Sequence, residues 1–353
     1  MVLSESGAAQ ERELSDPREL TPGVLFPGHA TGIGSLPHRD AALAARVVLD
    51  CLPDLPAAPQ LPSRSSREAM LAQWLDALPE VEVDHDGELR WLGPSEQAPR
   101  FTFSDAAHGG LLAFVDALGA VDPAVRPSTV KLQVTGPLTL GVALHRLGAS
   151  ADQAFERGVA ASSGWGRAVS RLVRDRIPGV TPVVFLDEPA LVAWRRREAP
   201  IHHDDAVDLL SRTLASIDAV TGVHVCGDGE VAIATEAGPR IVGVEVRPDL
   251  VRDVLALGRH LEGGGWIAWG AVPTDRPVGT SPDPHWRAVL ELWCELTRLG
   301  IDPLALRSRA LVTPACGLAG HGESQAERAL LLARAIGRRV GDQAAATRLA
   351  VGA

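Results

Sequence analysis

The sequence predicts an α/β fold, a single closed (β/α)8 barrel of the TIM type over residues 29–341. Three observations predict it. Strand-like apolar runs alternate with helix-like stretches about eight times in about 320 residues, which favours a parallel sheet covered by helices. Neither repeats nor linkers break the series. Polar residues suited to chemistry end several of the apolar runs, where a barrel carries its active site. An open doubly wound sheet is the alternative, but Gly263-Gly-Gly265 precedes a strand-like run and so makes no dinucleotide fingerprint.

Taken in order, residues 1–28 read as a mostly disordered tail. Ala30–Pro37 reads as a strand ending in a Gly/Ser/Pro turn, and Asp40–Leu52 as a helix. Ala57–Pro62 is a short strand weakened by its prolines, and Ser63–Leu78 has helical spacing. An excursion is inserted near 80–127, with a hairpin turn at Asp86-Gly87. The pattern then becomes regular. Strands are expected at Thr129–Thr135, Thr181–Leu186, Gly222–Cys226, Arg240–Val246, Trp266–Val272 and Ala310–Ala315. The helices between and after them fall near 151–176, 203–220, 248–260, 283–299 and 323–340, with one short helix after Cys226. Residues 342–353 read as a frayed tail.

Composition excludes several classes. A hydrophobic fraction of 46% supports a sizeable core, and a net charge of −10 argues against nucleic-acid or anionic-membrane partners. No apolar run reaches the roughly 18 residues of a membrane span, and residues 1–23 lack an apolar signal core, so a cytoplasmic location is expected. Four cysteines do not make a disulfide scaffold, and Cys51 and Cys294 read as buried thiols on helices. The chain has a single lysine, Lys131, and no tyrosine. Schiff-base chemistry would have to use Lys131, which lies at the start of its apolar run rather than at its end.

The candidate site collects at the strand ends: Ser35, Asp187, His224, Cys226, Glu245 and Cys316. His224 and Cys226 are two apart on a strand-like run, so an imidazole and a thiolate project to one side. Alone, each would be a core residue. Together, and with Cys316 from a later run, they form a metal-ligand set. Glu245 is a plausible oxygen ligand one strand along, or else a partner for Arg247. Two cysteines, a histidine and a carboxylate suit Zn2+ rather than Mg2+ or Ca2+. Ligands spread from 224 to 316 point to a catalytic site, and a thiolate-rich one can hold a substrate thiol as thiolate.

Six motifs carry a resemblance: Thr31-Gly-Ile-Gly-Ser-Leu-Pro37, Thr135-Gly-Pro137, Leu186-Asp-Glu-Pro-Ala-Leu191, His224-Val-Cys226, Glu245 and Ala315-Cys-Gly-Leu318. In this order they resemble the C-terminal catalytic domain of cobalamin-independent methionine synthases, in particular short single-domain bacterial and archaeal relatives. The resemblance spans about residues 30–340 and is weak between 63 and 128. It implies a barrel of the uroporphyrinogen decarboxylase/methionine synthase type, with His224, Cys226, Glu245 and Cys316 as zinc ligands. It also implies that Ile33, Gly34 and Ser35 hold the homocysteine carboxylate, and that Asp187 pairs with its amine. Asp187 and Ser35 are then the catalytic candidates, and the reaction is methyl transfer to the homocysteine thiolate, giving methionine.

The departures from that pattern bear on the methyl donor. Ala193 stands where the family places a folate-contacting glutamate, and Gly270–Asp275 has no histidine where the family has its proton donor. No glutamate clearly matches the family's amine-binding one near Arg64–Met70. The donor is therefore methyltetrahydrofolate or a corrinoid such as methylcobalamin, with a corrinoid protein as a partner in the second case. A corrinoid-dependent transfer to another thiol and a non-catalytic zinc- or thiol-binding barrel remain alternatives.

Overall fold

The computed structural model describes residues 24–351, so the expectation for residues 1–23 lies outside it. In chain order the strands are β1 Val81–Val83, β2 Leu89–Trp91, β3 Thr129–Thr135, β4 Thr181–Asp187, β5 Val220–His224, β6 Ile241–Glu245, β7 Trp266–Val272 and β8 Ala310–Pro314. The last six form one curled parallel sheet in sequential order. Each is largely buried on both faces, the mark of a parallel strand under helices, and all but β3 are mainly apolar. On β3, Val130, Leu132 and Val134 join the main core against the helices. The alternate residues Lys131, Gln133 and Thr135 are buried on the other face. Inside the curl, Leu55, Val183, Phe185, Val220, Ile241, Ala268 and Leu311 pack with Leu25 as a second, smaller core.

The expected eight-strand barrel is not formed in full. Six strands are regular, and the first two expected strands are extended segments that make only isolated parallel bridges: Ala30 with Val312, Ser35 with Gln60, and Ala57 with Lys131. Their composition explains this. Proline supplies no N–H to a ladder, and Pro56, Pro59 and Pro62 crowd the second segment. In the first, Gly34 has φ +140. Hydrogen bonds still link them to both sheet edges. Thr31 N donates to Val312 O (2.9 Å), Gln60 N to Gly34 O (3.0 Å) and Ala58 N to Lys131 O (2.9 Å).

The hairpin β1–β2 turns at Asp86-Gly87 as expected, with Gly87 at φ +78 and the Asp84 carboxylate accepting from the N–H groups of Asp86 and Glu88. Helices cover Ala151–Arg176, His203–Ala215 and Asp283–Arg298, close to their expected bounds. Four local differences from the expectations are found. Ser63–Leu78 is not one helix but a 3-10 turn, Ser66–Glu68, and a short helix, Ala72–Leu75. The helix Pro137–Arg146 has no counterpart in the sequence reading. Cys51 is buried, whereas Cys294 is exposed on its helix. The last helix runs Glu323–Val351, past the boundary expected at 341. Among the described residues no helix is long and apolar enough to cross a membrane.

Candidate metal and thiol site

The parallel register brings the strand ends to one level. Asp187 at the end of β4 is paired with His224 at the end of β5, and His224 with Gly243 of β6. A Cβ at Gly243 would lie 3.2 Å from His224 Nδ1, so the glycine gives the imidazole its room. Gly222 does the same one layer down, where a Cβ would meet the Phe185 ring at 2.8 Å.

His224, Cys226 and Cys316 come together at this end of the sheet, with one ligand atom of each within 4.8 Å of the others. The imidazole is buried, its Nε2 has no hydrogen-bond partner, and the two thiols are half-buried. A buried polar atom without a partner is costly unless a ligand satisfies it. The two sulfurs stand 3.8 Å apart. Two thiolates bound at about 2.3 Å to one tetrahedral zinc would stand about 3.8 Å apart, so donor types and spacing both fit that ion. The hydrogen bond from the Cys226 thiol and the nearby His224 hold Cys316 down at about 4, while the same bond and burial push Cys226 up.

Glu245 ends β6 as expected, half-buried, but it does not join the trio within 4.8 Å. Burial raises its carboxyl, and Arg247 pulls it back. Asp187 is buried, with Oδ1 unpaired, and burial raises it against the opposing pull of Lys131 and His224. Ser35 lies against the loop that carries Cys316. Its carbonyl accepts from Leu318 N (2.8 Å), and its Oγ would be 2.5 Å from a Cβ at Gly317, the neighbour of Cys316. Among the described residues, no hydrogen bond engages the backbone N–H groups of Ile33, Gly34 or Ser35. Consecutive free N–H groups of this kind suit an anion.

The motif Asp187-Glu-Pro189 hides a structural lock. Glu188 is fully buried and accepts from Leu138 N (2.8 Å), Thr139 N (2.7 Å) and Thr139 Oγ1 (2.6 Å). These are N-terminal donors of the helix Pro137–Arg146, so a carboxylate belongs there. A Cβ at Gly136 would sit 2.2 Å from Glu188 Oε1, which explains the glycine of Thr135-Gly-Pro137. Burial pushes Glu188 up to about 7, against the pull of these donors. Near Arg64–Met70 there is one glutamate, Glu68, and it is buried and already engaged by Arg64 and by the N–H groups of Leu61 and Gly110.

A hollow of about 410 Å³ opens beside Gly317, between the loops after β7 and β8, and is lined by Thr274, Asp275, Arg276 and His321. A larger one, about 690 Å³, lies at the opposite end of the strands by Val220, Arg240 and Gly265, away from the candidate chemistry.

No known protein family and no curated protein matches this sequence. The fold does match solved structures. A Listeria monocytogenes protein named provisionally as a vitamin-B12-independent methionine synthase aligns at TM-score 0.52 and 14% identity, covering 90% of this chain and 98% of that one. At that identity the likeness is one of fold. A GH113 β-mannanase from Alicyclobacillus acidocaldarius aligns at TM-score 0.45 and 10% identity, over 94% of this chain and 99% of that one.

Proposed function

We propose that this protein is a zinc-dependent S-methyltransferase on a barrel of the methionine synthase type, methylating the homocysteine thiol to give methionine. The observation that carries this reading is the His224–Cys226–Cys316 cluster, with its 3.8 Å sulfur spacing and its unpartnered imidazole nitrogen. The name of the Listeria fold neighbour points the same way. Bound zinc would hold the substrate sulfur as a thiolate near neutral pH. With zinc bound, the trio would leave a fourth position for the substrate thiol, and Glu245 would have to turn toward the cluster to serve as a ligand before the thiol arrives.

The chain's own groups orient the amino acid. Free N–H groups at Ile33–Ser35 take the carboxylate, and Asp187 takes the ammonium by a charge-assisted hydrogen bond. The methyl then moves to sulfur while the donor keeps the bonding electron pair. A corrinoid leaves with that pair and needs no proton, whereas a tetrahydrofolate amine must be protonated. Gly270–Asp275 offers no histidine for that proton, which favours a corrinoid, free or carried by a partner protein.

Purified protein should carry about one zinc per chain and form methionine from homocysteine with methylcobalamin, assayed beside methyltetrahydrofolate. A metal-free protein that makes no methionine from either donor sinks the proposal.

A further inference from the structure

Lys131 is the only lysine in the chain, while every other cationic side chain of that length is arginine. It is also among the most deeply enclosed side chains, 1% exposed, on the inner face of β3. Its ammonium donates to the carbonyl of Ile33 and lies 5.0 Å from the centre of the Phe185 ring. A cation without counter-charge in such a place is expensive. Burial lowers Lys131 to about 8, and Asp187 is the largest influence holding it up. The shape of the site explains why arginine does not serve. A compact ammonium on a flexible stem reaches one carbonyl past an aromatic face, whereas a planar five-donor guanidinium would leave buried donors unpaired.

The carbonyl it holds belongs to the segment whose amides are free. In a trans peptide the C=O and the following N–H point in opposite directions. Pulling the Ile33 carbonyl inward therefore turns the Gly34 N–H away from the lysine. Gly34 keeps that turn because its φ of +140 is open to glycine, and a Cβ there would strike the Gln133 amide at 2.3–2.7 Å. A second hydrogen bond, from Gln60 N to Gly34 O at 3.0 Å, fixes the next peptide.

We infer that Lys131 is a positioning residue for substrate binding: from beneath, it sets the Ile33–Ser35 amides to receive a carboxylate and places a positive charge under that carboxylate and Asp187. This rests on the thiol amino acid reading above and adds to it a requirement for a carboxylate-bearing substrate. Thiols that lack the carboxylate gain nothing from the lysine.

The test compares homocysteine with its decarboxylated analogue, 3-aminopropane-1-thiol, by calorimetry on the zinc-loaded protein and its Lys131→Met variant. The variant keeps zinc content and weakens homocysteine by about tenfold or more, as loss of a buried charged group does, while the analogue, whose ammonium still meets Asp187 but which has no carboxylate for the lysine, loses no affinity. A folded Lys131→Met protein with unchanged homocysteine affinity, or with equal losses for both thiols, overturns the inference. Wild-type protein gives a second readout should the variant fail to fold. With 15N-ζ-lysine the chain has one ammonium resonance, which homocysteine shifts strongly and the analogue weakly. Equal or absent shifts on binding refute the role of Lys131. Failure of wild type to bind any thiol instead refutes the underlying reading, and the inference falls with it.

Discussion

Replacing Glu188 by alanine tests the lock that joins the loops after β3 and β4. Three donors converge on this carboxylate, at 2.8, 2.7 and 2.6 Å, in a fully buried place. Hydrogen bonds to a charged group contribute roughly 1.5–3 kcal/mol each, and they do not add fully because the donors share one carboxylate. The Thr139 hydroxyl can turn to another acceptor, but the amides of Leu138 and Thr139 cannot. Two stranded amides and the vacated space come to about 3–5 kcal/mol, a large part of a typical stability. Glu188→Gln keeps the shape but sets an NH2 group against a donor, and should lose about 2 kcal/mol. Urea unfolding followed by circular dichroism measures both. Because Asp187 is the adjacent residue, homocysteine binding should weaken in the folded fraction of either variant. A Glu188→Ala protein within 1 kcal/mol of wild type would refute the lock.

Further outcomes follow from the same geometry. Cys316→Ser should abolish stoichiometric zinc by elemental analysis and with it alkylation of bound homocysteine; unchanged metal content would remove Cys316 from the ligand set. Asp187→Ala should retain zinc and lose about tenfold in homocysteine affinity by calorimetry, with little change for a thiol that has no amine. His108 gives a pH signature. It is packed among Trp74, Phe103 and Trp165, and burial pushes it down to about 4. The folded chain keeps it neutral while the unfolded chain protonates below about 6.5. Its stabilisation is therefore complete above that pH and is lost as pH falls toward 4, by up to about 3 kcal/mol. Unfolding at pH 7 and pH 4 should show a shallower loss in His108→Gln; equal losses would contradict the assignment.

What could be read from the sequence follows from how each element is stabilised. Strands β4 to β8 are mainly apolar runs that owe their form to burial on both faces, and that burial is written in their composition, whereas β3 buries Lys131, Gln133 and Thr135 on its inner face, which composition alone does not announce. The segments at 30–37 and 57–62 are held by a few isolated hydrogen bonds, because their glycines and prolines interrupt a regular ladder. The helix Pro137–Arg146 starts at a Gly-Pro pair that reads locally as a turn, and its donors are satisfied by Glu188, 49 and 50 residues away. Cys294 has helical spacing like its buried neighbours, yet it lies outside the stripe of Val289, Leu292, Trp293 and Leu296 that faces the core. Of the candidate ligands, the chain brings His224, Cys226 and Cys316 together because each ends or follows a strand of one parallel sheet. Glu245 also ends its strand but stays outside the group within 4.8 Å, a difference that spacing does not encode.

The bridge between Ala30 and Val312 also has a consequence for synthesis. The segment proposed to receive the carboxylate is made well before its neighbour on one side, β8, about 280 residues later in the sequence. That neighbour also leads into Cys316. A nascent chain can stack β3 to β7 as they appear, each strand docking on the one before it. The candidate ligand group and the seam at Ala30 must wait for the same late stretch. Docking of β8 on the first segment and assembly of the His224–Cys226–Cys316 group are then one event, and if zinc binds there as proposed, it would favour that arrangement.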